Sequence, residues 1–235
     1  MMGEMITITA AGNSSVQAYV ARPKGSGPWP GLVILSEVYN VNHWVRAVAD
    51  GYAEQGYLCL APDLYWRQEP GRYLDYTPED QKIARALGYS MDLDAFTGDM
   101  ADYVRTLTKR SDCTGAVGSV GYCLGGKLVY LAIARGLITA GVGYYAVQLD
   151  QFLDEANNIV RPLMLHFAEL DEHVPLETVM AVKEALAGKP DIRIYNYLGA
   201  DHGFNRFGYP PYHPDSAKAA LERSLEFLNR HLCRE

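Results

Sequence analysis

Cys123 stands in Gly121-Tyr122-Cys123-Leu124-Gly125-Gly126, a G-x-C-x-G run that matches the G-x-S-x-G nucleophile turn with Cys in place of Ser. Such a turn holds the nucleophile at the tip between a strand and a helix, and the helix dipole there favours a thiolate. A small buried Cys in a Gly-rich turn fits the same letters, so the motif needs partners. They follow in the order nucleophile, acid, base. Asp171 lies 48 residues on, in Leu170-Asp171-Glu172-His173-Val174-Pro175, and His202 a further 31 on, in Ala200-Asp201-His202-Gly203-Phe204. A thiol, an imidazole that takes and returns its proton, and a carboxylate that fixes the imidazole tautomer are the parts of acyl transfer.

Each part has competitors. Glu169 and Glu172 flank Asp171 and read as solvated loop charges. His173 precedes Pro-initiated helix and reads as a cap or a water-facing ring. His166 lies in an apolar run and reads as a core histidine, while His43, His213 and His231 fall in or beside predicted helices and read as surface residues.

The elements that must position these residues are a recurring pair, a short apolar run and then a longer amphipathic one. Residues 31–36, 57–61, 116–121, 141–145 and 163–167 are near-continuous apolar runs of strand length, as suits parallel strands buried on both faces. Helical segments are predicted over about 42–55, 79–110, 124–136, 175–187 and 215–232, with a further strand near 192–197. This alternation predicts an α/β fold, a mostly parallel sheet with helices on both faces. Residues 6–9 and 16–21, around Gly12-Asn13, add an N-terminal antiparallel hairpin. Ligands in such sheets bind beyond the carboxyl ends of the strands. Those ends carry Glu37, Asp63, Cys123, Tyr145, Asp171 and His202.

Composition narrows the function. The chain has 235 residues, 49% hydrophobic and 21% charged, which is globular and predicts one domain over 1–235, since α/β folds run to about 250 residues as a unit. The net charge of −7 with no basic run argues against nucleic acid. The apolar stretch 136–149 falls short of the roughly 20 residues that cross a bilayer, and Met1-Met2-Gly3-Glu4-Met5 lacks the features of a secretory signal. A cytoplasmic monomer without membrane attachment is expected. Cys59, Cys113, Cys123 and Cys233 form no C-x-x-C pair and no His cluster has metal-ligand spacing, so neither metal, cofactor nor disulfide framework is expected.

Taken together, these residues resemble the dienelactone hydrolase family, the carboxymethylenebutenolidases, of the α/β-hydrolases. The resemblance runs through Glu37 and Asn42, the segment Ala61-Pro62-Asp63-Leu64-Tyr65 with Arg67 and Gly71, the cysteine turn, Gly143-Tyr144-Tyr145, Asp171, and His202 through Arg206. It implies that Cys123 is the nucleophile, His202 the base and Asp171 its orienting acid, with the backbone N–H groups of Leu124 and Val38 as the oxyanion hole. It also implies that Glu37 is the family's extra carboxylate, restraining the thiol by like charge or by taking its proton. On the residues alone, a helix N-terminal acid is an equal reading of Glu37.

The family's substrate carries a carboxylate, and Arg206 matches a position that recognises it. Tyr145 and Phe204 are expected as further substrate contacts. The sequence departs from the pattern where the second recognising Arg falls on Gln81, its neighbouring Tyr on Arg85, its Trp on Gly88, and the Ser after the base on Gly203. Arg85 lies four residues, about one helical turn, from Gln81 and is either a replacement cation or a solvated charge. The expected reaction is hydrolysis of a lactone or small ester through a thiol ester, on a carboxylate-bearing dienelactone by the resemblance. A carboxylesterase or thioesterase on neutral esters is the alternative, and a non-catalytic small-molecule binder on the same scaffold the rival from another class.

Overall fold

A computed structural model describes residues 3–233; Met1 and Met2 of the opening segment lie outside the described residues. Two compact units divide the chain, one ending at Ser119 and the other beginning at Val120.

The first unit opens on a hairpin. β1 (Glu4–Ala10) pairs antiparallel with β2 (Ser14–Ala21) in the register Ile6↔Ala18, Ile8↔Val16. The 3-10 turn between them has Gly12 at φ 67° and Asn13 at φ 64°, left-handed geometry that these two residue types tolerate best. β2 then runs antiparallel to β4 (Leu58–Pro62), and β4 parallel to β3 (Trp29–Leu35). The strand order here is β1-β2-β4-β3-β5.

α1 (His43–Glu54) is capped by the Asn42 side chain, which accepts from the N–H of Val45. The segment expected as one helix over 79–110 is two, α2 (Pro78–Tyr89) and α3 (Leu93–Thr108). Asp92 makes the break, because its carboxylate accepts from the N–H groups of Asp94 and Ala95 and so starts a new helix with an N-cap.

β5 (Cys113–Tyr122) begins in the first unit and ends in the second, where the order continues β5-β6-β7-β8. β6 (Gly141–Tyr144), β7 (Leu163–Ala168) and β8 (Ile192–Tyr197) are parallel neighbours. α4 (Leu124–Ala134) is buried on every face, as its lack of a polar stripe dictates. Each of Leu128, Val129, Leu131 and Ile133 is almost wholly covered, and burying one such side chain contributes about 1.5–3 kcal/mol. α4 packs directly on β6, for a Cβ at Gly141 would lie 2.6 Å from Val129 Cγ1. A kinked 3-10 stretch over Leu149–Asn158, unforeseen in the sequence, joins β6 to β7. α5 (Leu176–Ala185) and α6 (Pro214–Leu232) complete the unit.

Candidate active site

The nucleophile turn is built by close approach. A Cβ on Gly121 would lie 2.1 Å from the carbonyl oxygen of Gly125, and one on Gly126 would lie 2.9 Å from both Ala146 Cβ and the Tyr144 oxygen. Only glycine allows strand and helix to cross so tightly. Cys123, the N-cap of α4, sits at φ 53°, ψ −111°, a sparsely populated conformation of the kind held at functional sites. Its N–H donates to the Tyr144 carbonyl and its C=O accepts from Lys127, so the turn is pinned on both sides. Leu124 follows as the first helical residue, where N–H groups have no partner within the helix.

Asp171 stands three residues beyond β7 and is buried. Its Oδ1 accepts from the N–H groups of His173 and Val174, and its Oδ2 lies 2.8 Å from His202 Nδ1. One oxygen therefore shapes the acid's own turn while the other orients the base. With Nδ1 committed, His202 presents Nε2 to Cys123, and the two side chains are hydrogen-bonded. Burial disfavours the imidazolium, but the facing Cys123 thiolate and the hydrogen bonds to Asp171 and Cys123 outweigh it, and the ring's pKa is raised to about 10.

Tyr145 holds this imidazole, and Phe204 backs Tyr145. Tyr145 follows β6 at φ 36°, packs its ring at 61° and 4.8 Å against His202, and donates its hydroxyl to Asn205 Oδ1 at 2.6 Å. Phe204 stands 5.7 Å from Tyr145. Neither side chain has exposed surface, so in this conformation the expected substrate contacts are packing residues, Tyr145 against the base and Phe204 against Tyr145. Arg206 closes a turn on Gly203, donating its backbone N–H to that carbonyl at 2.8 Å.

Two neighbours of the site were not assigned a part by the sequence. The His173 ring, expected to cap or face water, is exposed but stands edge-on to His202 at 4.8 Å. The signal was its position two residues after the acid, where the Asp171 turn folds the chain back. Lys127 is buried one turn into α4 and donates to Gln148 Oε1 at 2.9 Å; desolvation lowers its pKa. A buried Lys in an otherwise apolar helix was the available clue.

In the first unit, Glu37 follows β3, is buried and accepts from the Tyr76 hydroxyl at 3.2 Å. The Val38 carbonyl accepts from the Tyr65 hydroxyl. Asp63, after β4, is structural: it accepts from Asn40, Tyr65 and Gly71. Arg67 is paired with Asp99 and stacked on Trp66. Gln81 and Arg85 both lie exposed on α2, and Gln81 donates to the Tyr39 hydroxyl at 3.4 Å. His166 is the core residue expected, with both ring nitrogens hydrogen-bonded. His43 is exposed, while His213 caps α6 and His231 packs on Phe227. All four cysteines are free, and among the described residues no group of three His, Cys, Asp or Glu could hold a metal.

A thiol on a strained strand-to-helix turn, an imidazole and a carboxylate, each after its own strand of an α/β unit, define the α/β-hydrolase class. The dienelactone hydrolase family model matches residues 16–232, and the chain belongs to that family of ester hydrolases. It is 39% identical over 238 residues to a protein of Azospirillum brasilense that carries the name carboxymethylenebutenolidase provisionally, with 97% of this chain and 98% of that protein covered. It is 34% identical over 229 residues to the carboxymethylenebutenolidase of Pseudomonas putida, covering 97% of both. The crystal structure of a provisionally named dienelactone hydrolase from Klebsiella pneumoniae superposes with a TM-score of 0.82 at 28% identity, over 97% of this chain and 99% of that one.

Proposed function

We propose that this chain opens a lactone or cleaves a small ester through a covalent thiol ester on Cys123, with a carboxylate-bearing dienelactone as the substrate class. The observation that carries the reading is the hydrogen-bonded run Asp171–His202–Cys123, its members following β7, β8 and β5 in turn. Cys123 Sγ attacks the carbonyl carbon while the imidazolium of His202, oriented by Asp171, supplies the proton to the leaving oxygen. His202 then takes a proton from water, whose oxygen attacks the thiol ester and releases the acid and the free thiol. The N–H groups of Leu124 and Val38 are the proposed donors to the tetrahedral oxyanion, each worth ~2.7–4 kcal/mol in such sites.

Glu37 is assigned the family's extra carboxylate, and its burial with a tyrosine hydroxyl as partner suits a group kept from bulk water. Replacing it by Gln is expected to change the pH dependence of kcat/KM more than its maximum. Arg206 is the proposed anchor of the substrate carboxylate. Arg85, exposed on α2, is the candidate for the cation absent at Gln81. The reaction needs no cofactor, and a cytoplasmic monomer is the setting that the composition suits.

Cys123→Ala is the direct test. Turnover should fall on the order of 10⁴-fold or more, with the unfolding transition retained, and turnover near the wild-type level would refute the mechanism. The substrate class is tested by kcat/KM for an unsaturated lactone bearing a carboxylate against a neutral ester of matched size. A hydrogen bond to a charged group is worth about 1.5–3 kcal/mol, so the acid should be preferred roughly 10- to 150-fold. A second reading, a general carboxylesterase or thioesterase, is favoured by Gln81 at a cationic position, and it predicts no preference for the acid.

A further inference from the structure

Lys127 is the one charged residue of α4, and it is 5% exposed. Its backbone N–H closes the first turn of the helix on the Cys123 carbonyl at 3.2 Å. Helical side chains lean toward the N-terminus of their helix, so the Lys127 stem runs back toward the nucleophile. The ammonium donates to Gln148 Oε1 at 2.9 Å, three residues beyond Tyr145, whose ring packs on His202. A buried cation thus stands at the end of the unit that carries nucleophile and base.

Its partner is not an acid. Burying a charge without a counter-ion is costly, yet among the described residues no carboxylate pairs with Lys127. Glu155 is taken by Arg135 and Asp171 by His202, while Asp150 and Asp154 are exposed. Tyr130 on α4 and Tyr144 on β6 are bonded to the Phe152 carbonyl and to Ser224. Gln148 offers an oxygen without charge, from a left-handed conformation at φ 58° that costs a non-glycine residue energy. The opposite charge acting on Lys127 is that of Cys123: burial lowers the ammonium's pKa and the thiolate raises it. Such coupling is reciprocal, so the ammonium stabilises the thiolate by as much as the thiolate stabilises it.

We propose that Lys127 is a positioning residue for the reaction: its ammonium, satisfied by a neutral amide and so left with its full charge, holds Cys123 as a thiolate before substrate binds. The proposal rests on the reading of Cys123 as the nucleophile. The thiol proton passes to His202 Nε2, where Asp171 and the sulfur retain it, and Lys127 keeps its own protons. Tyr145 and His173, the other titratable groups against His202, meet it through their rings.

The test is alkylation of the full chain by iodoacetamide as a function of pH, read by mass spectrometry on the Cys123 peptide because Cys59, Cys113 and Cys233 are also free. Lys127→Met removes the charge and keeps the stem; Gln148→Glu keeps the lysine and cancels its charge. Because the thiolate is the reacting form, alkylation at about pH 6 should fall about 10-fold in both, and return to within about 2-fold of wild type at about pH 9.5. A rate at about pH 6 within about 2-fold of wild type in Gln148→Glu overturns the proposal even if Lys127→Met is slow, because that pattern belongs to a packing role. An equal fall at every pH reports changed access to the sulfur and overturns it too. Should Lys127→Met lose its cooperative unfolding transition, Gln148→Glu, which adds an ion pair, decides alone. The nucleophile reading fails separately, if wild-type enzyme fully alkylated at Cys123 still hydrolyses the lactone.

Discussion

The two oxygens of Asp171 have separate tasks, and a single substitution separates them. Asn at 171 keeps an oxygen to accept from the N–H groups of His173 and Val174, but its amide cannot accept from His202 Nδ1. Asp171→Asn is therefore expected to lower kcat by ~10⁴-fold, the usual cost of a misoriented imidazole, with little change in the unfolding midpoint. A loss confined to stability would show that the turn, not the base, needs the carboxylate. The base itself titrates unusually high, to about 10. The folded protein holds that proton where the unfolded chain releases it near 6.5. The resulting stability is fully present below about pH 6.5 and is lost as pH rises toward 10. Because the Cys123 thiolate is the foremost group raising it, the His202 resonances in Cys123→Ala should titrate at lower pH than in the wild type; an unmoved midpoint would remove the thiolate from the account.

At the scale of elements, β6, β7, β8 and α6 are joined by a buried polar chain whose hydrogens can be placed. Ser224 Oγ donates to the Ala220 carbonyl, so it must accept from the hydroxyl of Tyr144, at 2.7 Å, and from His166 Nε2, at 3.0 Å. His166 is then the neutral Nε2–H tautomer, and its Nδ1 accepts from the Tyr197 hydroxyl, which in turn accepts from Arg223. Burial and the Arg223 charge push the ring's pKa down to about 3. Here the sign is opposite to that of His202. The unfolded chain takes up a proton below about 6.5 that the folded ring refuses, so stability declines as pH falls from 6.5 toward 3. Between pH 6.5 and 5 this amounts to about 2 kcal/mol. Urea unfolding at those two pH values should show that loss in the wild type and a smaller one in His166→Gln; equal slopes would assign the acid sensitivity elsewhere. The helix elements were less legible at their joints. The 79–110 pattern reads as one amphipathic run because the apolar period continues across residues 90–92, whereas the Asp92 cap interrupts it locally.

At the scale of the molecule, the family match runs unbroken over 16–232, across both compact units, and β5 belongs to each. A fragment beginning at residue 120 would keep Cys123, Asp171 and His202 but only the last residues of the strand that presents the thiol. It is expected to show no cooperative thermal transition and no hydrolysis, and a folded, active fragment would overturn the expectation of a single domain. Among the described residues, no helix is long and apolar enough to cross a membrane.

By itself the sequence determined the class of chemistry and most of the elements. Apolar runs separated by amphipathic ones can bury their surface only as strands covered by helices, and a thiol, acid and base at three strand ends fix the order of a hydrolase triad. Those signals are local, carried by residue type and period. The tertiary structure alone decided what depends on side chains far apart in sequence. Which oxygen of Asp171 meets His202, why Tyr145 walls the base, and why the His173 ring lies against it follow from loops of different strands meeting at one end of the second unit. The partner of the buried Lys127 is of the same kind. The sequence names such residues, but contact distance is set by packing, and packing has no period to read.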